Sequence, residues 1–201
     1  MNYNSIKVKL FYLTILACIL FHYPLSVEAQ VSASDKPLLI GDMAPSLKLD
    51  GFIKGSPLGT FDSGSIYVID FWTTYCKPCI ELMPHLSKLT QKYKDDINVI
   101  SVNVYQKRQY PRSRAVEIID SLGRKVNFSV AFESGTEMQN TWLKHNWNAG
   151  VPKSFVVEKI GRIAWSGYPT DLDNVLKLIV NNQWNVDSAR RAENRNYQLS
   201  I

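Results

Sequence analysis

The chain has 201 residues, 45% of them hydrophobic, 11% aromatic and 20% charged, with three cysteines. This is too apolar for a disordered chain and holds too few cysteines for a disulfide scaffold, which leaves one globular domain with short extensions. The formal charge of +5 would suit nucleic acid only if Lys and Arg gathered into a stripe. They are scattered, apart from Lys107, Arg108, Arg112 and Arg114 and a tail group of Arg190, Arg191 and Arg195, and both groups read as solvated surface.

Lys7 and Lys9 precede an apolar run from Leu10 to Phe21, and Val27, Glu28 and Ala29 offer small or aliphatic residues where a signal peptidase reads. This layout predicts a secretory signal at residues 1–29, cleaved after Ala29. The run falls short of the ~20 residues that span a bilayer, so a retained membrane helix is the weaker choice. Lipidation at Cys18 is a third option, opposed by Ile19, Leu20 and Phe21, which stay apolar where a mature lipoprotein turns polar. Cleavage removes Lys7, Lys9 and Glu28, lowering the charge from +5 to +4, and it removes Cys18. Cys76 and Cys79 then remain, in a single C-x-x-C. A loop that short stabilises a fold far less than a long-range crosslink does, so a structural staple is a poor explanation of the pair.

Residues 30–40 are polar and read as a flexible leader, and the domain is expected over 41–185. Ser65 to Trp72 is β-rich and apolar on both parities, the pattern of a strand covered on both faces, interrupted by Asp70. From Cys76 the period changes: Ile80, Met83, Leu86, Leu89 and Tyr93 recur at helical spacing. A strand is predicted from Ile97 to Val104, a helix from Arg114 to Leu122 and a strand from Phe128 to Phe132. Ser134 and Glu137 predict a capping box before a helix carrying Met138, Trp142 and Leu143, as do Thr170 and Asp173 before a helix with Leu172, Val175, Leu176 and Ile179. Between these helices, Ser154–Glu158 and Arg162–Ser166 read as a hairpin around Ile160-Gly161. Residues 186–201 form a polar tail. The alternation defines an α/β domain.

The C-x-x-C thus lies where a buried strand gives way to a helix N-terminus. Unsatisfied N–H groups and the positive end of the helix dipole favour a thiolate at Cys76, Lys77 adds a charge beside it, and Pro78 suits a first turn. Cys76 is expected to be the exposed, low-pKa attacker and Cys79, one turn deeper, the resolving thiol. Asp70 shares its parity with the apolar Val68 and Trp72, so its carboxylate is expected to be buried, with a raised pKa that makes it a candidate proton acceptor.

The run Asp70-Phe71-Trp72-Thr73-Thr74-Tyr75-Cys76-Lys77-Pro78-Cys79, with Pro84 five residues on, resembles the active-site segment of the thioredoxin superfamily. Gly150-Val151-Pro152 resembles its cis-proline loop, Glu158 to Ile163 its last hairpin, and Gly41-Asp42-Met43-Ala44-Pro45, with a strand and helix inserted between Ile97 and Phe132, the exported TlpA-like (redoxin domain) branch. The resemblance implies a thioredoxin-like fold, a central mixed sheet flanked by helices with an N-terminal extension. It also implies a disulfide-exchange site in which Cys76 attacks, Cys79 resolves, Asp70 is the buried acid and Pro152 is cis. Trp72, Tyr75, Lys77, Pro78, Val151 and Pro152 are expected to meet the substrate chain. Three positions depart from the family pattern: Tyr75 stands in place of Trp, Lys153 in place of Thr, and Leu82, with Glu81 beside it, in place of Glu.

The expected activity is thiol-disulfide exchange in the cell envelope, more as a reductase than an oxidant, with no bound cofactor or metal. Its partners would be disulfide-containing exported proteins and a membrane protein that supplies electrons. A peroxiredoxin-type peroxidase is the nearest rival, because Thr73 lies three residues before Cys76, but Ile69 stands where a Pro is expected. Metal or copper delivery is the other rival. It would need ligands beyond the two cysteines, and His85 and His145 read as surface residues.

Overall fold

The computed structural model describes residues 37–56, 60–105, 111–144 and 150–199. The signal segment, Cys18, most of the leader, Lys107, Arg108 and His145 lie outside them.

Six strands, β1 (Leu49–Lys54), β2 (Ile66–Trp72), β3 (Ile97–Asn103), β4 (Ser129–Glu133), β5 (Lys153–Val157) and β6 (Ile163–Gly167), form one sheet in the order β1-β4-β3-β2-β5-β6. Strands β2, β3 and β4 run parallel, whereas β1, β5 and β6 each lie antiparallel to a neighbour, giving the expected mixed sheet. Every residue of β2 is buried, because it is central and both faces are covered, which is why its sequence is apolar on both parities.

One face packs against α1 (Lys77–Lys92), α2 (Arg112–Leu122) and α3 (Leu172–Val180): Val68 and Trp72 of the sheet meet Met83, Leu86 and Leu89, Ile118 and Ile119, and Leu172 and Leu176. The opposite face buries Tyr67, Ile69, Phe71 and Phe155 under Leu47, Met138, Trp142 and Leu143. Phe71, Trp142 and Phe155 interlock there with ring centroids 5.2–5.9 Å apart, the tilted and edge-on arrangements that aromatic quadrupoles favour.

Neither expected capping box forms. The N–H of Glu137 donates to the Ser134 carbonyl, and the orphan N–H of Gln139 instead reaches the buried Glu133 carboxylate at 3.0 Å, opening a π-helical turn over Gln139–Leu143. Ahead of α3, a 3-10 turn (Pro169–Asp171) runs directly into the helix, so no extended N-cap residue exists; the Thr170 hydroxyl turns to Asp171, and Asp173 pairs with His85 at 3.0 Å. Strand β1 has no counterpart in the sequence reading. It is an edge strand with two register shifts and Gly51 at φ 86°, so its half-exposed residues show no period-2 pattern.

The polar tail is a helix, α4 (Val186–Gln198), with Asn185 as N-cap accepting from the Ser188 N–H at 2.8 Å. Its buried Glu193 accepts from the Ile40 N–H at 2.6 Å and from the Ser166 hydroxyl at 3.4 Å, and Arg190 pairs with Asp42 at 2.9 Å. Residues expected to be leader and tail are therefore fastened to each other and to β6. Periodicity misses this because the contact is made by one buried carboxylate on a helix that is otherwise polar. Glu193→Ala strands the Ile40 N–H and is expected to lower stability by about 1–3 kcal/mol in urea denaturation, with a smaller loss for Glu193→Gln, which keeps the acceptor. Equal stability of all three proteins would show that the latch contributes nothing.

Candidate active site

At the C-terminal end of β2 the chain turns through Thr73, Thr74 and Tyr75 into Cys76, whose extended backbone (φ −91°, ψ 90°) makes it the N-cap of α1. Its Sγ accepts from the Cys79 N–H at 3.2 Å. Pro78 lies in the first turn, where its missing N–H leaves nothing unpaired, and no acidic residue competes for the helix end. Cys76 and Cys79 are joined in a disulfide. Cys76 is the more accessible, at 9% against 3%, but it is not the exposed residue expected, because it belongs to the core cluster that holds Trp72 and Met83. Tyr75, Lys77 and Pro78 are exposed around the pair. The Lys77 ammonium is shared with Glu81, 3.6 Å away, so its field at Cys76 is diluted.

Antiparallel pairing of Lys153 with Phe71 runs residues 151–152 alongside the end of β2 that feeds Cys76. The Val151–Pro152 peptide is cis, and both residues are half-buried. Trp72 requires a correction. Expected to contact substrate, it is fully buried in the core beneath α1, because it continues the inward parity of Val68, and it supports the site from below. Lys153, at the position where Thr was expected by resemblance, is buried as well. Burial lowers its amine pKa, and the Glu193 charge opposes that shift.

Asp70 is buried at 3% exposure on the face covered by α1. Burial raises its pKa from 3.8 to about 7, opposed by hydrogen bonds from the hydroxyls of Ser101 and Ser154, each 2.8 Å from a carboxylate oxygen. These serines are not among the residues that the sequence singles out. They were legible only as polar interruptions of two apolar strands, and nothing local ties them to Asp70. Glu133 was missed too: its carboxylate caps both Gln139 and the Tyr105 N–H, the latter at 3.1 Å, and burial raises its pKa. It thereby holds the start of the loop after β3 and the π-helical turn that precedes the cis-proline loop.

The thioredoxin family model matches residues 61–128, a span that contains the C-x-x-C and Asp70. Protein FixW of Rhizobium leguminosarum is 29% identical over 79% of this chain and 73% of its own length. Thiol-disulfide oxidoreductase ResA of Bacillus cereus is 26% identical over 65% of this chain and 70% of its own. The crystal structure of a putative thiol:disulfide interchange protein DsbE from Chlorobium tepidum superposes with a TM-score of 0.54 at 25% identity, covering 72% of this chain and 97% of the other. The chain is a thioredoxin-fold thiol-disulfide oxidoreductase. Relatives of this kind belong to the TlpA-like group that the sequence resembles. The Cys76–Cys79 pair is its redox-active dithiol, here in the disulfide form.

Proposed function

We propose that the protein works as a reductase of disulfides in exported proteins at the cell envelope, after export directed by residues 1–29. The observation that carries this reading is a disulfide at the N-terminus of α1 with a single buried acid in the strand beneath it. In the reduced state the Cys76 thiolate attacks a substrate disulfide; the Cys76–substrate bond forms, and the first substrate sulfur leaves and takes a proton. Cys79 then gives its proton to Asp70 and attacks Cys76 Sγ. The bond from Cys76 to the substrate breaks, and the second substrate sulfur leaves with the proton from Asp70. Two electrons and two protons pass to the substrate, and a dithiol donor, envisaged as a membrane protein, restores the reduced pair. Tyr75, Lys77 and Pro78, with Val151 and Pro152, form the surface that receives the substrate chain. No helix among the described residues is long and apolar enough to cross a membrane.

Equilibration with glutathione buffers tests the direction. A reductase pair has the lower potential, so it is expected to be mainly oxidised in an equilibrated glutathione pool, and the reduced protein is expected to reduce insulin disulfides. A pair that remains reduced in that pool is an oxidant, and this outcome would overturn the proposed direction.

A further inference from the structure

The carboxylate of Asp70 is held by two residues that lie far from it in sequence. In β3, Ser101 is the register partner of Asp70, and in β5, on the other side, so is Ser154. Ser101 Oγ donates to Oδ2 and Ser154 Oγ to Oδ1, both at 2.8 Å, and both serines are fully buried. Each oxygen thus has its own donor, supplied from opposite sides across the central strand.

Among the described residues, the other groups around this site carry no competing charge. Along β2 the same face shows Val68 and Trp72, and from α1 come Cys76, Cys79 and Met83. Lys153, one residue before Ser154, is out of phase and lies over the Phe155 ring at 5.7 Å on the opposite face. His85 of α1 and Asp173 of α3 pair with each other, Glu193 of α4 is engaged by Ile40 and Ser166, and α2 turns only Ala115, Ile118 and Ile119 inward.

A lysine in place of either serine would hold the acid permanently ionised, and a purely apolar site would hold it permanently protonated. A hydroxyl does neither. It donates to the anion, and once a proton arrives it rotates to accept from the acid, so the buried group stays hydrogen-bonded in both states.

We propose that Ser101 and Ser154 are positioning residues for the resolving step, clamping Asp70 so that it takes the proton of Cys79 and returns it to the departing substrate sulfur. This rests on the proton role proposed above for Asp70. The step is balanced within the site: the Cys79 S–H bond breaks and an Asp70 O–H bond forms, the Cys76–Cys79 disulfide forms as the Cys76–substrate bond breaks, and Asp70 then reprotonates the leaving thiolate.

The test follows closure of the Cys76–glutathione mixed disulfide after the reduced protein meets glutathione disulfide, across pH 5 to 9, for the parent, Ser101→Ala, Ser154→Ala and Asp70→Asn proteins. Carbon-13 titration of the Asp70 carboxyl in the oxidised proteins accompanies it. Each serine variant is expected to move the acid limb and the carboxyl titration upward together by about one pH unit or more, slowing closure about tenfold at pH 6 with recovery at pH 9. In an Asp70→Asn background the serine substitutions are expected to change nothing. An acid limb that moves up into the ordinary thiol range in Asp70→Asn yet stays in place in both serine variants overturns the clamp and leaves the role of Asp70 intact. An acid limb that Asp70→Asn leaves unmoved overturns the role of Asp70, and the clamp with it. Loss of packing alone would slow closure equally at every pH, which also overturns the proposal.

Discussion

Replacing Cys79 by Ser is expected to turn the reduced protein from a catalyst into a trap. With no resolving thiol, the Cys76–substrate disulfide forms and has no intramolecular route of escape, so turnover should fall on the order of 10³-fold while mixed disulfides accumulate. The helix geometry supports the proposed division of labour: Cys76 is the N-cap of α1 and the more accessible residue, whereas Cys79 lies one turn in and is more deeply buried. Cys76→Ser should abolish capture altogether. Non-reducing electrophoresis of the Cys79→Ser protein from envelope extracts, followed by mass spectrometry of the adducts, reads the result and names the partners. Capture that survives in Cys76→Ser with Cys79 intact would reverse the assignment, and no adduct in either variant would argue against exchange with proteins.

Asp70→Asn is expected to stabilise the oxidised protein at pH 7.5 by about 2–4 kcal/mol while impairing turnover. The folded carboxyl keeps its proton to about pH 7, whereas an ordinary carboxyl loses it near 3.8. Between those values the unfolded chain binds fewer protons than the folded one, so stability falls as pH rises. The contribution is fully present below 3.8 and is lost as pH passes through about 7. A separation of that size corresponds to about 4 kcal/mol. Asn does not titrate, and its amide offers an acceptor to one serine and a donor to the other. Urea denaturation at pH 4, 5.5 and 7.5 should show the two proteins converging at pH 4 and diverging above it. Parallel profiles would mean that Asp70 is solvated or fully compensated. A residue retained at such a cost to stability is what a proton-transfer role leads one to expect.

Much of the active site could be read along the chain because its parts are local. The period change from β2 to α1, the Cys-Lys-Pro-Cys run at that junction and an acid on an inward parity all lie within ten residues, where helix-cap geometry and strand alternation dictate position. Trp72 shows the limit of that reading: it is expected to contact substrate, but strand parity sends the indole into the core. The failed capping boxes show another. Ser134 and Thr170 had suitable spacing, yet Glu133 took the Gln139 N–H first, and a 3-10 turn removed the N-cap conformation before α3.

By itself, then, the sequence determined an α/β domain whose C-x-x-C sits at a strand-to-helix junction above a buried carboxylate. Only the tertiary structure decided what that carboxylate faces. Ser101 is 31 residues from Asp70 and Ser154 is 84, and they meet it because β3 and β5 flank β2 in a particular register. The same holds for Glu193, which reaches Ile40 across 153 residues. A strand's own pattern says which of its side chains turn inward, but the partners they find depend on strand order and register, which the burial of the whole core selects.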